Sequence, residues 1–283
     1  MVTTAGVLQV VNLADGTVRW RRTVGVSPAL TAAGQLVIFG VNGRLTGYDD
    51  RTGRPRWTTG GLPDQPTVLV ADGLVLVLSN TQGPGITTAL TAVLPATGRV
   101  AWRFDPGESL TVLSAGPAGL TVAAYVFSRR LYLLDPRTGR LRWQEATFVA
   151  QGIVPLVTST DILAVEGQSP IRLVDRAAAD GRVRWQDTLT TPPVGQQQVL
   201  AAGPLAVLQG APVTPGQPAP LLAYRLTNGR AAWRVDMPTF VATQPVLTPG
   251  HVLEQPADLM SACAAASWAR IRTGAGNRPA DRA

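Results

Sequence analysis

Short apolar runs alternate with polar turn residues along most of this chain. Residues 27–58 show one full cycle. Ser-Pro-Ala-Leu-Thr at 27–31 predicts a short inner strand, and Gly34 turns the chain into a second at 36–39. Asn42-Gly43 then leads into 44–49, and residues 50–53 lead into a strand holding Trp57. Asn-Gly is a hairpin dipeptide, because both central residues of its turn take positive φ. Each cycle thus predicts four antiparallel strands. Such a sheet cannot bury both faces alone, so the cycles are expected to stack.

The cycle recurs. Gly-x-x-x-Trp pairs Gly16 with Trp20, Gly53 with Trp57, Gly98 with Trp102, Gly139 with Trp143, Gly181 with Trp185 and Gly229 with Trp233. Subtracting positions, successive tryptophans lie 37, 45, 41, 42 and 48 residues apart, and only Trp268 of the seven falls out of frame. Apolar runs at 45–48, 89–94, 131–134, 171–174 and 221–224 precede the later turns. Two residues before each Trp stands Val18, Pro55, Val100, Leu141, Val183 or Ala231, with arginines mostly one and three residues before it. A side-chain period of two puts each Trp and this apolar partner on one face and the arginines on the other. In the turns at 50–53 and 136–139, polar side chains can bond the backbone while the Gly takes positive φ cheaply.

The expected fold is all-β, a β-propeller of six four-stranded antiparallel blades, with seven as the alternative. Residues 6–20 read as the last two strands of a blade. Residues 244–248 and 251–253 read as the first two, so their pairing would close a ring. The propeller is assigned to 1–253. Residues 254–283 read as a degenerate or disordered tail without a strand pattern, weakly helical at 262–269. In the seven-blade alternative 258–268 are a decayed repeat. The fifth repeat reads as carrying an insertion-like turn at 175–181.

Composition narrows the chemistry. The formal net charge is +7, and all 25 basic residues are arginine. Thirteen of them lie within four residues of a repeat Trp. Spread round an outer rim, they read as protection of exposed strand edges. A nucleic-acid site wants charge on one face with aromatic platforms. No nucleic acid is therefore expected, and binding through an arginine rim is kept as an alternative. His251 is the one histidine, so a Ser-His-Asp site would have to use it and a multi-histidine metal site is excluded. Cys263 is the one cysteine, so no intramolecular disulfide forms. Both read as structural. Residues 1–4 show no signal-peptide start. The uncharged stretch 110–127 has Gly116-Pro117-Ala118-Gly119 at its centre, which predicts a turn between strands rather than a spanning helix.

Asp49-Asp50-Arg51-Thr52-Gly53-Arg54-Pro55-Arg56-Trp57 and residues 134–143, Leu-Asp-Pro-Arg-Thr-Gly-Arg-Leu-Arg-Trp, resemble the repeat of the pyrroloquinoline-quinone (PQQ)-like β-propellers, Ala-x-Asp-x-x-Thr-Gly-x-x-x-Trp. The resemblance covers about residues 6–252. It implies that Gly16, Trp20, Gly53, Trp57, Gly98, Trp102, Gly139, Trp143, Gly181, Trp185, Gly229 and Trp233 are structural repeat residues, each Trp lying on an outer strand and docking on the neighbouring blade. The repeats at 92–102 and 224–233 depart from it by lacking the motif Asp.

Quinoprotein dehydrogenases share this repeat, so the resemblance admits PQQ and Ca2+. Only four glutamates are present, Glu108, Glu145, Glu166 and Glu254, and there is no Cys-Cys pair. A calcium ion wants six to eight oxygens. The expectation is therefore a monomeric, non-enzymatic binding or scaffolding domain with no cofactor and no catalytic residues. It would engage a protein or small ligand at one end of the ring through loops at 81–88 and 210–220, in an assembly or sensor role. A fragment of a quinone-dependent oxidoreductase is the alternative enzyme reading. By resemblance the domain is extracytoplasmic or attached to a membrane protein.

Overall fold

The structure is a computed structural model that describes residues 2–4, 6–24, 29–33, 36–41, 43–62, 67–81, 87–124, 129–193, 197–211, 219–237, 246–248, 251–254 and 269–272. Among them every regular element is a strand. No helix is long and apolar enough to cross a membrane. The chain divides into two compact units. One is Met1–Phe148 with Val157–Thr160 and Ala178–Gly181; the other is Val149–Leu156 with Asp161–Ala177 and Arg182–Ala283.

The first unit opens with a three-stranded sheet of β1 (Val2–Thr4), β2 (Val7–Val11) and β3 (Val18–Thr23). Three four-stranded sheets follow in sequence order. They are β4 (Ala29–Ala33) to β7 (Pro55–Thr59) through β5 (Leu36–Val41) and β6 (Arg44–Asp49); β8 (Thr67–Ala71) to β11 (Val100–Phe104) through β9 (Leu74–Thr81) and β10 (Thr87–Val93); and β12 (Leu110–Gly116) to β15 (Leu141–Ala146) through β13 (Gly119–Ala124) and β14 (Arg130–Leu134). Every neighbouring pair in them is antiparallel.

In the second unit, β16 (Ile153–Val154) pairs in parallel with β21 (Gln197–Gln198). A four-stranded sheet runs β17 (Leu156–Val157), β18 (Asp161–Glu166), β19 (Arg172–Ala177) and β20 (Val183–Thr188). The next runs β22 (Leu200–Ala202), β23 (Leu205–Gln209), β24 (Ala219–Arg225) and β25 (Ala231–Met237). The last is three-stranded, with β26 (Val246–Thr248), β27 (His251–Glu254) and β28 (Ala269–Arg272).

Both terminal sheets thus hold one strand more than the sequence pattern suggests. β28 lies in the segment that showed no strand pattern, and the residues at 258–268 read as a decayed repeat lie outside those described. By strand equivalence the described strands of the first sheet correspond to the second, third and Trp strands of a full blade, and those of the last sheet to its first three.

The cores lie between neighbouring sheets, so most inner strands are buried on both faces. β9 shows how. Leu74 and Leu76 join Leu120, Val122, Tyr132 and Leu134 in one cluster, while Val75 and Val77 join Leu45 in another. Alternate side chains serve opposite neighbours, and this is why the strand reads as a continuous apolar run. In the second unit Leu163, Val165 and Leu173 pack with Ala206, Leu208, Leu222 and Tyr224.

The outer strands overturn one expectation. Val10 pairs with Trp20, but Val11 pairs with Val18, so Arg19 is an extra residue. The same bulge sits one residue before Trp57, Trp102, Trp143, Trp185 and Trp233. A bulge sets two residues against one and shifts the side-chain phase. The residue two before each Trp therefore points to the opposite face from the indole. Val18, Val100, Leu141 and Val183 are 42%, 55%, 44% and 45% exposed. Strict alternation fails there because the strand is not regular.

This reversal predicts two stabilities. Leu141→Thr is expected to change the unfolding free energy by no more than about 0.5 kcal/mol. Leu133→Ala, at a fully buried position, is expected to cost about 2–5 kcal/mol. Urea melts of both variants check this; a large loss in L141T would place Leu141 in the core.

Candidate functional site

The repeat residues build one joint, made again and again. Trp20 Nε1 donates to the carbonyl oxygen of Asp50 at 2.7 Å, Trp57 to Pro95 at 2.6 Å, Trp102 to Pro136 at 3.0 Å, Trp143 to Ala178 at 3.0 Å and Trp185 to Leu226 at 2.9 Å. In every case the acceptor lies three residues before the Gly of the following repeat. The indole ring lies on that Gly. A Cβ at Gly53 would stand 2.6 Å from the Trp20 ring, one at Gly139 2.5 Å from Trp102 and one at Gly181 2.9 Å from Trp143; Gly98 and Gly229 meet Trp57 and Trp185 in the same way.

These glycines therefore answer two demands at once. Gly53 and Gly139 both take φ of +68°, where a side chain is strained. They also leave room for an indole, which the turn chemistry of the sequence does not reveal. Gly16 has φ of +71° with nothing within 4 Å of where a Cβ would stand. Trp233 packs against the buried Val207, Leu221 and Ala223 cluster of its own sheet; residues 238–245 of the repeat that follows lie outside those described.

The turn itself is held by backbone. Asp49 N donates to Arg54 O and Gly53 N to Asp49 O, and the same pair of bonds closes 94–99, 135–140 and 225–230. The repeats that lack the motif Asp thus keep the turn. The fifth turn is also of the same length: Asp175 lies inside β19, and Ala177 N donates to Arg182 O. There is no insertion at 175–181.

Where the motif Asp is present it adds a network. Asp135 Oδ1 accepts from Arg137 N at 3.1 Å, Thr138 N at 3.1 Å and Thr138 Oγ1 at 3.0 Å, and Oδ2 accepts from Arg142 Nη2 at 2.7 Å. Asp49 repeats this with Arg51, Thr52 and Arg56. The Arg142 ion pair holds the Asp135 carboxyl down to about 2, with the Thr138 hydroxyl and amide adding to it against a desolvation cost; Arg56 does the same for Asp49, below the usual carboxylate range. Arg56 and Arg142 are the bulge residues before their Trp. Several other rim arginines also bond locally: Arg22 Nε donates to Gly53 O, and Arg103 and Arg234 pair with Asp105 and Asp236. Arg56 and Arg142 thus fix turns, a role the sequence pattern did not assign to them.

The second unit buries charge. Arg176 donates to both carboxylate oxygens of Glu166 at 2.8 Å, and both residues are nearly inaccessible. Gln197 is also buried. Its Nε2 donates to Gln209 O at 2.6 Å, and its Oε1 accepts from Gln209 N at 2.7 Å. Asp175 is 2% exposed and its Oδ1 has no hydrogen-bond partner. Burial, reinforced by the Asp161 carboxylate and opposed by Arg184, pushes its carboxyl up to about 7. Sequence reading did not place Arg176, Gln197 or Gln209 in a site, and it weighed Glu166 only as a calcium ligand and Asp175 only as part of a turn, since the repeat pattern gives no sign that a polar strand residue is buried.

Glu166 is engaged by Arg176 and Glu108 Oε2 accepts from Tyr132 Oη at 2.8 Å. Among the described residues no three His, Cys, Asp or Glu side chains gather as metal ligands would. The side chain of His251 and all of Cys263 lie outside the described residues, as does most of the expected ligand loops, 82–86 and 212–218.

A family model described as outer membrane protein assembly factor BamB matches residues 4–168 and 168–267. The chain belongs to this family of PQQ-like repeat propellers. It is 30% identical over 178 residues to the serine/threonine-protein kinase AfsK of Streptomyces griseus, a match that spans 56% of this chain and 21% of the kinase. Among solved structures, a europium-containing methanol dehydrogenase superposes with a TM-score of 0.55 at 11% identity, over 88% of this chain and 71% of its own. A chain of a mitotic checkpoint complex superposes at 0.56 with 14% identity, over 89% and 79%. These two likenesses establish the propeller fold and nothing finer.

The joint makes two predictions. Gly16→Ala should cost only its backbone strain, about 1–2 kcal/mol. Gly139→Ala should cost that plus about 1–3 kcal/mol for displacing the Trp102 indole; equal losses in urea melts would mean that the indole does not press on the glycine. The second concerns acid. Asp135 titrates near 2 when folded and near its ordinary 3.8 when unfolded. Its support is present above 3.8 and lost as pH falls towards 2. Asp135→Asn should flatten the fall in melting temperature between pH 4 and 2; an unchanged slope contradicts this.

Proposed function

We propose that this chain is a non-catalytic propeller module that binds a protein or small ligand, in an assembly or sensor role. One observation carries the reading. Four of the described acidic side chains are committed to the scaffold: Asp49 and Asp135 cap turns, Glu166 is held by Arg176, and Glu108 takes the Tyr132 hydroxyl. A catalytic site needs such groups turned toward a substrate with their pairing capacity open. The family match supports an assembly role, since its description is that of an outer membrane protein assembly factor. The match to AfsK supports a sensor or docking part of a larger signalling protein. The family description also supports an extracytoplasmic or membrane-attached placement.

Two measurements test the reading on the purified chain. Millimolar PQQ with Ca2+ should leave the melting temperature unchanged; a rise of several degrees would favour a quinone-dependent oxidoreductase fragment, because a ligand that binds only the folded state must stabilise it. Duplex DNA should not be retained at physiological salt. Retention that falls steeply as salt rises would instead assign an anionic partner to the arginines.

A further inference from the structure

Asp175 occupies a position that the other repeats fill with apolar residues. It is the cross-strand partner of the repeat tryptophan. Val10, Gly47, Ala92, Leu133 and Ala223 hold that place opposite Trp20, Trp57, Trp102, Trp143 and Trp233. Cross-strand partners share a face of the sheet. Asp175 therefore lies on the face of Trp185, Leu163 and Leu173, and the last two belong to the cluster that joins this sheet to β22–β25. The Trp185 indole crosses that seam to bond Leu226 O and to lie on Gly229.

The charged and titratable groups around the carboxyl do not complete it. From β18, Asp161 brings a second negative charge. From β20, Arg184 is committed to Asp161, and Asp187 is again acidic. From the next sheet, Tyr224 is pushed up by burial and by Asp187, with Arg234 opposing. Arg172 and Arg176 stand at odd steps from Asp175 along β19 and so lie on the other face. An ionised carboxylate here would be buried, bounded by two acids and one engaged arginine, and short of a hydrogen bond. Such a charge is relieved either by a proton or by water.

We propose that Asp175 is a proton-operated latch on the joint between sheets β17–β20 and β22–β25: its neutral form lets Trp185 seat on the Gly229 turn, and its ionisation unseats the indole so that water reaches the carboxylate. The sign follows from the raised folded value. The unfolded chain ionises near 3.8 and the joint holds its proton up to about 7. The latch is fully closed below the lower value and is lost as pH rises through the upper one. The window places the change within the physiological range, without a histidine. The other four Trp joints, with Val, Gly, Ala or Leu opposite the indole, carry no such latch.

The test is 19F NMR on the full chain labelled with 5-fluorotryptophan, with the Trp185 resonance assigned by its loss in Trp185→Phe. Between pH 5.0 and 8.5 that resonance should shift with a midpoint near pH 7, and its solvent isotope shift should grow above the midpoint, while the Trp102 resonance stays still. Asp175→Asn and Asp175→Ala should both abolish the transition. Asp161→Asn should move the midpoint to lower pH by removing the neighbouring charge. A flat Trp185 resonance, a transition that survives in both Asp175 variants, a midpoint unmoved in D161N, or a shift with no gain in solvent access would each overturn the latch.

Discussion

The structure depends on an indole placed where only a glycine can receive it. Each joint combines a ring face on a Cα without a side chain and an N–H bonded to a carbonyl three residues away in the chain. Burial of a large aromatic supplies most of the energy, and the hydrogen bond removes the penalty that a buried indole N–H would bring. The two together also fix position. Area alone would let two flat sheets slide over one another, whereas Trp102 on Gly139 and Pro136 O admits one register.

Much of this was legible in the sequence. The Gly-x-x-x-Trp frame located the six outer strands, and residues 27–58 gave the four strands of one sheet close to β4, β5, β6 and β7. What escaped was phase and distance. A bulge leaves no mark in a hydrophobic pattern, so Val100 and Leu141 read as sharing the face of the indole although they are exposed. The second duty of Gly53 escaped for a related reason: its contact is with Trp20, 33 positions earlier, and positive φ already seemed a sufficient cause. The terminal sheets were under-read, since β28 carries no turn signal in frame.

The bulge explains why the motif pairs an arginine with an aspartate seven residues earlier. Inserting one residue before the Trp turns that side chain back along the strand toward the turn. Arg56 and Arg142 then reach Asp49 and Asp135. The bond is a refinement, because the turns at Leu94 and Arg225 close through the same backbone bonds without an aspartate. Such exposed pairs contribute little on their own. The glycine and the tryptophan recur in all six repeats while the aspartate comes and goes, as this division of labour requires.

The second unit departs from the repeat where it buries Glu166, Arg176 and Asp175. The first two satisfy each other through two bonds, which offsets much of their desolvation. Asp175 has no such compensation, and it stands against the tryptophan on which its own joint relies. An apolar residue there would stabilise the sheet at neutral pH, as Ala92 and Leu133 do in their repeats. A scaffold under selection for rigidity alone gains nothing from the carboxyl, and the Trp185 joint is the one described joint with a titratable side chain opposite its indole.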